Sequence, residues 1–551
     1  MITNIIEIMC GIFALLNYDT DKFEYDKIQA EFYKGINRGP EKSTIDFDHN
    51  LNIVKGFHRL AINGLDDISN QPININEYSL ICNGEIYNYK QLYNLMDIIP
   101  STNSDCEVII HLVIKYGIHQ TLRMLDGVYA FILFSPNTIY IARDPYGVRP
   151  LYYTQGKNGF RKGLIGFSSE LKSLCNIANE LEQKVCQFTP GTFITIDKTN
   201  DENEKAVWHI KEQITYHIPA FSSICIKNRY QIYLDEINYH LRSAVIKRYT
   251  TTERPIACLL SGGLDSSLIA ALVCDIHKKT SSNKNIETYS IGLPDSEDIK
   301  YAKMVANHIG SKHTEILVTE QEMLEIIPEV ICAIESYDTT TVRASIGNYL
   351  IGKYIKQHSE AKVIFNGDGS DELAGGYLYM NSCPDSIEYD KETIRLLKDI
   401  HLFDVLRSDK SISSHGLEPR TPFLDKTFVN YYLSIPVELR NHNLNNNIEK
   451  YLIRSAFDNE NLLPKEILWR KKEAFSDGVS NKGKSLFQII QEYTDKQVQD
   501  PSLNLKQKER QYYKDIFDKA YPNHLDIVPY YWMPKYILSD DPSARTLANY
   551  K

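Results

Sequence analysis

The pattern of apolar and polar positions changes character once along the chain. From residue 10 to about residue 208, short β-branched and aromatic runs are broken by Gly, Asn, Asp and Pro, as in GIFALL, YSLICNGEIYN, GVYAFILF, TIYIARD and GTFITID. Such runs are typical of β-strands. One longer stretch, SDCEVIIHLVIKYG, has the spacing of a helix. The first part of the chain is therefore predicted to be a mainly antiparallel β domain with a few helices.

In the second part, short apolar runs alternate with longer helical stretches. RYQIYLDEINYHLRSAVIKRY has the spacing of an amphipathic helix, whereas PIACLL, IETYSIGL and KVIF are typical of buried strands. This alternation predicts a parallel sheet covered by helices. The polar stretch DKTNDENEK and the weakly patterned residues after it indicate a linker. We expect an extension at 1–9, a first domain at 10–208, a linker at 209–225 and a second domain at 226–540.

Composition and charge restrict the function classes. The 551 residues carry a net charge of -10 without a dense run of Lys and Arg, which makes nucleic acid a poor partner. The 10 cysteines include no CxxC pair, which is typical of a reducing compartment. The apolar N-terminus has no basic flank and contains Glu7, so it reads as a first strand and not as a signal peptide. We expect a cytoplasmic protein without membrane spans.

The stretch PIACLLSGGLDSSLIAALV carries the strongest local chemistry. A buried strand runs into the Gly-rich loop 261–267 and then into a helix, so backbone N–H groups meet at the positive end of a helix dipole. Glycines let the main chain approach a phosphate closely. The alternative is a plain Gly-Gly turn. We interpret the loop as an anion site because strand, loop and helix all occur together.

Two other stretches resemble ligand loops. NGDGSDE follows the predicted strand KVIF, where its carboxylates could hold Mg²⁺ on phosphates or act as an acid, although a cluster that only faces water is equally compatible. GVSNKGKS, at 478–485, matches the Walker A pattern but follows the polar segment RKKEAFSD and lacks a preceding strand. We interpret this match as a coincidence.

Several motifs together are more specific than any of them alone. SGGLDSS combined with NGDGSDELAGGY, HGLEPRTPFLD and WRKKEAFSDGV, behind MCGIFA, resembles the glutamine-hydrolysing asparagine synthetases from residue 9 to about residue 479. The resemblance implies an N-terminal nucleophile hydrolase domain, an αββα sandwich of the α+β class, followed by an α/β PP-loop domain. It further implies that glutamine releases ammonia, which passes through a tunnel and attacks β-aspartyl-AMP formed from aspartate and ATP. The products would be asparagine, glutamate, AMP and pyrophosphate.

The resemblance also implies roles in the glutaminase site. Cys10 is similar to the thiol nucleophile, and its own α-amine, with a pKa of roughly 7.7–8.0, would serve as base if Cys10 were N-terminal. Arg59 would bind the glutamine carboxylate and Asp105 its amino group, while Asn83 and Gly84 would form the oxyanion hole. The full implied glutamine-binding set is Arg59, Leu60, Ala61, Ile62, Asn63, Asn83, Gly84, Glu85 and Asp105.

In the second site, Asp368 is similar to the acidic residue tied to forming or using the adenylate, and Lys472 to the lysine that stabilises charge at the α-phosphate. Asp265 and Asp371 resemble ligands of Mg²⁺ or pyrophosphate. The ATP contacts implied are Leu259, Ser261, Gly262, Gly263, Asp265, Ser266, Ser267, Ile291, Asn366 and Gly367. The residues implied at the aspartate or tunnel end are Thr340, Thr341 and Arg343.

Two departures from the family pattern leave alternatives open. Asn37 and Glu41 stand where the family usually has His and Asp, in a segment that borders the glutaminase pocket. If residues 1–9 stay attached, Cys10 lacks its amine, and the enzyme would use only free ammonia. A related amidotransferase that adenylates another carboxylate and a catalytically silent relative are the other readings. Members of the family are often homodimers, so a homodimer is a further expectation.

Overall fold

The computed structural model describes residues 10–18, 23–39, 41–155, 163–202, 204–219, 230–280, 285–445, 448–472, 484–539, 541–543 and 546. The predicted extension at 1–9, residues 220–225 of the predicted linker and residues 478–483 of the Walker A match lie outside the described residues. Among the helices of the described part, none combines the length and the apolar character needed to cross a bilayer.

The first domain is built on twelve described strands in two sheets. Their bounds are β1 Gly11–Leu16, β2 Lys42–Asp48, β3 Ile53–Arg59, β4 Ile73–Ile75, β5 Tyr78–Ile86, β6 Gly127–Phe134, β7 Thr138–Arg143, β8 Tyr152–Gln155, β9 Ile165–Ser168, β10 Lys184–Gln187, β11 Thr192–Asn200 and β12 Ala206–Thr215. One sheet has the order β10-β8-β9-β1-β3-β2 and the other β12-β11-β7-β6-β5-β4. The strand pairs described in both sheets are antiparallel, as the short runs predict.

The two sheets pack face to face. Alternate residues of β1, such as Ile12 and Ala14, share a buried cluster with Ile132 of β6 and Ile141 of β7. The outer faces are covered by helices α1 Tyr25–Tyr33 and α4 Cys175–Glu180 on one side, and by α2 Tyr89–Met96 and α3 Val108–Met124 on the other. The domain is therefore the predicted αββα sandwich.

The predicted linker begins inside a strand. The stretch DKTNDENEK spans the end of β11, a turn and the approach to β12, and β12 pairs with β11 from Ala206 opposite Asn200 to Thr215 opposite Thr192. Turn residues occur in a hairpin loop as readily as in a linker. The predicted linker start at residue 209 falls inside β12, because the polar stretch turns the chain back onto its own sheet.

The second domain contains a five-stranded parallel sheet. Its strands are β13 Ile256–Leu259, β14 Glu287–Gly292, β15 Lys312–Leu317, β16 Val363–Phe365 and β17 Glu418–Arg420. Their order is β15-β14-β13-β16-β17, and every neighbouring pair is parallel. The order reverses at β13, so the carboxyl ends of β13, β14 and β16 surround the point where such sheets bind ligands.

Helices cover this sheet and extend beyond it. Their bounds are α5 Tyr230–Thr250, α6 Leu264–Lys279, α7 Glu297–Ile309, α8 Glu320–Glu325, α9 Ile327–Ile334, α10 Thr339–His358, α11 Ser370–Ala374, α12 Ser386–Asp399, α13 Asp404–Ser413, α14 Lys426–Ser434, α15 Val437–Arg440, α16 Tyr451–Ala456, α17 Lys465–Leu468, α18 Leu486–Gln497 and α19 Leu505–Ala520. Leu60 and Tyr87 of the sandwich share an apolar cluster with Leu241 and Leu260 of the second domain. The two domains are therefore packed through a continuous core.

Candidate active sites

Cys10 lies at the start of β1, beside the last residues of β3. Because Gly11 pairs with His58, Cys10 comes next to Arg59 and the loop that follows it. The Cys10 Sγ donates to the carbonyl of Leu60 at 3.2 Å and accepts from the Leu60 N–H at 3.3 Å. The Arg38 Nε donates to the Cys10 carbonyl at 3.0 Å. These contacts hold the half-buried thiol beside the loop that follows β3.

The electrostatics around Cys10 oppose ionisation of its thiol. Burial raises the pKa of Cys10 to about 12, and the negative charge of Glu85 acts in the same direction. The nucleophilic form of a cysteine is the thiolate. The thiol therefore stays protonated near neutral pH unless a base removes its proton, which is the task that an N-terminal α-amine performs.

Arg59 is oriented by the turn that follows it. Its guanidinium donates to the carbonyls of Gly64 and Asp66, and to the Asn70 Oδ1 at 2.5 Å. Within the described residues these bonds use three of the five N–H groups of the side chain. The remaining two suit a carboxylate ligand.

The oxyanion pair of the prediction lies on β5. The Asn83 side chain donates to the Ser169 Oγ at 3.4 Å, and the same oxygen accepts from the Ile12 N–H at 3.1 Å, so Asn83 is held beside the start of β1. A Cβ on Gly84 would come within 2.4 Å of the Val128 carbonyl. Only glycine therefore fits at this position of β5.

Two buried carboxylates complete the first site. The Asp105 Oδ2 accepts from the Ile86 N–H at 2.6 Å, and burial raises the pKa of Asp105 to about 6. The Glu85 Oε2 accepts from the Asn63 side chain at 2.7 Å. Burial and the neighbouring Asp105 raise the pKa of Glu85 well above its usual range. The structure thus brings the predicted glutaminase residues together around Cys10.

The Gly-rich loop of the second domain joins β13 to α6. Gly262 has a backbone φ angle of +75°, and a Cβ atom at this position would lie 2.5 Å from the backbone nitrogen of Ala302. The hydroxyls of Ser261 and Ser266 lie 2.9 Å apart, and α6 begins at Leu264, so its first N–H groups lie at the loop. This is the predicted anion site.

A cavity opens at the carboxyl ends of β13, β14 and β16. The predicted residues that line it are Leu259, Ser261, Gly263, Asp265, Ser266, Ile291, Thr340, Asn366, Gly367, Asp368, Asp371 and Lys472. Residues from the Gly-rich loop, the acidic loop and the segment before residue 473 therefore meet in one cavity. They come from parts of the chain more than 200 residues apart.

Two lysines neutralise the carboxylates of this cavity. The Lys450 Nζ lies 2.6 Å from Asp265 Oδ2 and 2.5 Å from Asp371 Oδ1, and the Lys472 Nζ lies 2.6 Å from Asp371 Oδ2. Although burial opposes ionisation, both lysines hold the pKa of Asp371 well below its usual range. Burial likewise opposes the charge of Lys472, but Asp371 and Asp265 raise its pKa above the usual value. Asp371 and Lys472 are therefore both charged at neutral pH.

Another polar set surrounds Asp368 at the far side of the cavity. Asp368 accepts from the Asn366 side chain at 2.8 Å and from the Arg407 guanidinium at 3.2 Å. Burial raises the pKa of Asp368, and Arg407 offsets part of this effect. The Tyr377 hydroxyl donates to Asp404 at 2.7 Å, and Asp404 also accepts from Arg407 at 2.8 Å. These groups offer both signs of charge to a zwitterionic ligand.

Four predicted contacts are not among the residues that line the cavity: Gly262, Ser267, Thr341 and Arg343. Ser267 is 0% exposed on the inner side of α6. The Thr341 hydroxyl donates to Asp338 at 2.8 Å at the start of α10. Arg343 is clamped by two buried carboxylates, Glu509 at 2.6 Å and Asp541 at 2.9 Å. On α10, Thr340, Thr341 and Arg343 thus face different surroundings, because neighbouring helical positions point in different directions.

Sequence reasoning missed Lys450, Arg407 and Tyr377, which all line the cavity. Lys450 is a lone lysine at the start of α16, and no glycine-rich or acidic motif flanks it. The sequence signal available for Lys450 was only its place in the second part of the chain, where helical stretches are predicted. The pairing of Lys450 with Asp265 spans 185 residues, so no local pattern predicts it.

Strand β17 connects the two sites. The Arg420 guanidinium contacts Glu85 Oε2 of the first site at 3.3 Å, while the Arg420 carbonyl accepts from the Asn366 N–H of the second at 3.1 Å. On the same strand, Glu418 pairs with Arg149 of the sandwich at 3.1 Å. The region between the thiol and the cavity is therefore buried and polar.

Comparisons with known proteins match this arrangement. The family model described as "Asparagine synthase" matches residues 236–388 and 384–538, and the one described as "Glutamine amidotransferase domain" matches residues 9–212. "Asparagine synthetase [glutamine-hydrolyzing]" of Homo sapiens is 41% identical, over 98% of this chain and 99% of the relative. The proteins of the same name from Gallus gallus and Bos taurus are 43% and 40% identical over the same shares. The similarity continues past residue 479, where the motifs thin out, and the chain belongs to the family of glutamine-hydrolysing asparagine synthetases.

Proposed function

We propose that this protein makes asparagine from aspartate and glutamine at the expense of ATP, with glutamate, AMP and pyrophosphate as the other products. The observation that carries the proposal is the coexistence in one chain of a cysteine beside candidate glutamine-binding residues and a phosphate-type cavity, with Arg420 in contact with both regions. The cysteine site alone would support only hydrolysis, and the Gly-rich cavity alone would support only adenylation.

In the glutaminase step, the Cys10 thiol attacks the side-chain amide carbon of glutamine. The α-amine of an N-terminal Cys10 takes the thiol proton and passes it to the leaving nitrogen, which departs as ammonia. The Asn83 amide and the Gly84 N–H would stabilise the oxyanion, by about 3 kcal/mol per donor. Water then hydrolyses the thioester and releases glutamate.

In the synthetase step, the β-carboxylate of aspartate attacks the α-phosphorus of ATP, and pyrophosphate leaves. The N–H groups of the Gly-rich loop and the ammonium groups of Lys450 and Lys472 would bind the phosphates. Arg407 suits the α-carboxylate of aspartate, while Asp404 suits its ammonium group. Ammonia then attacks the acyl carbon of the β-aspartyl-AMP and displaces AMP.

The acidic residues of the cavity also fit Mg²⁺ bound to the phosphates. Asp265 and Asp371 contact the same Lys450 Nζ, so their carboxylates converge on one point of the cavity. Mg²⁺ is usually held by one or two carboxylates together with substrate phosphates. We propose Asp265 and Asp371 as its protein ligands, where the ion would neutralise phosphate charge.

An exchange experiment tests the adenylation half directly. Incubated with ATP and labelled pyrophosphate, the enzyme is expected to form labelled ATP when aspartate is added. Glutamate and other carboxylic acids serve as controls and should support little exchange. Exchange that requires a different acid would show that the chain is an amidotransferase for another substrate.

The pKa of Asp105 predicts a pH dependence of glutamine binding. Because burial places this pKa at about 6, Asp105 loses its negative charge below that pH and can no longer pair with the ammonium group of glutamine. The dissociation constant for glutamine of a non-reacting Cys10→Ala variant should therefore rise up to about tenfold per pH unit below pH 6. Calorimetric titration between pH 5 and 8 measures this dissociation constant. In the Cys10→Ala/Asp105→Asn double variant, the dissociation constant should not rise below pH 6.

The location and the assembly of the protein are also proposals. A cytoplasmic location rests on the composition, and the described cysteines form no disulfide with one another. A homodimer rests on the family alone.

A further inference from the structure

The loop that follows Arg59 is held from outside its own domain. This glutamine loop, residues 59–64, carries much of the predicted glutamine-binding set. Opposite it lies the segment 251–254 of the second domain, which we call the synthetase arm, between α5 and β13. The Arg254 Nε donates to the Ala61 carbonyl at 2.7 Å, and the Glu253 N–H donates to the Ile62 carbonyl at 3.0 Å.

Side chains of both segments extend this contact. The Gly64 N–H donates to the Glu253 Oε1 at 3.0 Å, and the Asn63 side chain donates to the Thr251 carbonyl at 3.2 Å. The arm thus reaches four consecutive residues of the loop, Ala61 to Gly64. Because backbone groups of both the glutamine loop and the synthetase arm take part, the position of the arm constrains the position of the loop.

Glu41 joins the loop and the arm. Its Oε2 accepts from the Ala61 N–H at 2.6 Å, and its Oε1 pairs with the Arg254 guanidinium at 2.6 Å. Both the N–H and the carbonyl of Ala61 are therefore bound within one ring of contacts. This is the position where the family usually has Asp, and the extra methylene of Glu lengthens the reach of the carboxylate.

The residue next to this ring contacts the nucleophile. Leu60 precedes Ala61, and its N–H and carbonyl both bond to the Cys10 Sγ. A displacement of Ala61 would move the peptide groups that touch the thiol, and with them the wall against which glutamine binds.

We infer that Arg254, together with Glu41, is a positioning residue of the glutaminase site: the synthetase domain holds the glutamine loop in its binding conformation through this pair. The inference rests on the proposed function, and it assigns part of glutamine recognition to a residue of the other domain. It also explains how a chain with Glu41 keeps its loop in place despite the departure from the family pattern.

The test is steady-state kinetics of the full-length enzyme in which Cys10 has been verified as the first residue. Arg254→Met should raise the KM for glutamine about tenfold, because a charge-assisted hydrogen-bond network is lost, while the kcat of glutamine hydrolysis changes much less. Ammonia-dependent synthesis should stay within about twofold of wild type. Arg254→Lys, which keeps the pairing with Glu41, should give an intermediate KM, and so should Glu41→Asp.

Arg242→Met is the matched control, because Arg242 has a similar exposure, 25% against 26% for Arg254, and pairs only within the synthetase domain in the described contacts. It should leave the KM for glutamine unchanged. An unchanged KM in Arg254→Met, or a parallel loss of ammonia-dependent synthesis, overturns the positioning role. A wild-type enzyme that releases no glutamate refutes the proposed function and this inference with it, whereas an active wild type with an unaffected Arg254→Met refutes the inference alone.

Discussion

Cys10→Ala is expected to abolish glutamine-dependent synthesis of asparagine, by a factor of about 10³ or more, and to leave ammonia-dependent synthesis intact. The thiol is the only proposed group that forms a bond to glutamine, whereas the cavity that activates aspartate lies in the other domain. Asparagine formation from ammonium chloride and from glutamine, measured side by side, checks both halves.

Cys186→Ala provides the matched control for this substitution. Cys186 is a half-buried thiol of β10 in the same domain, and it should tolerate the change with both activities retained. If Cys10→Ala abolished both activities together, the assignment of two separate sites would be refuted.

The N-terminus of the native protein decides whether Cys10 can act at all. Because burial raises its pKa to about 12, an amide-linked Cys10 lacks the α-amine that would generate its thiolate near neutral pH. The intact mass and N-terminal sequence should show Cys10 as the first residue in enzyme that uses glutamine. A retained extension predicts an enzyme that depends on free ammonia.

Lys450→Met is expected to lower both glutamine-dependent and ammonia-dependent synthesis by at least about 100-fold. Lys450 is a cation between Asp265 and Asp371, so its loss leaves two half-buried carboxylates without this shared partner and removes a charge from the phosphate region. Glutamine hydrolysis should persist, because Cys10 and its surroundings lie in the sandwich domain. Retained hydrolysis also shows that the variant has folded.

Lys484→Met is the control for Lys450→Met. Lys484 is the lysine of the Walker A match, but its Nζ pairs with Glu492 at 2.6 Å and its side chain is 35% exposed. Both activities should remain close to wild type. Loss of synthesis in Lys484→Met, with activity retained in Lys450→Met, would exchange the roles of the two lysines.

Local structure and candidate chemistry could be predicted from the sequence where neighbouring residues determine them. The strand, Gly-rich loop and helix around 256–279 form as the apolar run and the glycines predict, because the turn and the anion site arise from neighbouring residues. The antiparallel strands of the first domain likewise follow from the short apolar runs, whereas its αββα layering was implied by the resemblance to the family. The Walker A match was set aside because no strand precedes it, and Ser485 instead begins α18 with a capping box.

Expectations from the sequence differ from the structure where distant parts of the fold decide the local structure. The polar stretch at 197–205 looks the same in a linker and in a hairpin, and only the pairing of β11 with β12 distinguishes them. Arg343 sits three residues from Thr340 on α10, yet it binds Glu509 and Asp541 while Thr340 faces the cavity.

The sequence by itself determined the family and predicted two domains and a candidate nucleophile, because these depend on motifs whose residues act at close range. Only the tertiary structure decided that Lys450 bridges Asp265 and Asp371 and that Arg254 holds the glutamine loop. Ion pairs and backbone contacts across 185 to 193 residues depend on how whole elements pack, and Coulomb attraction acts through space regardless of chain separation.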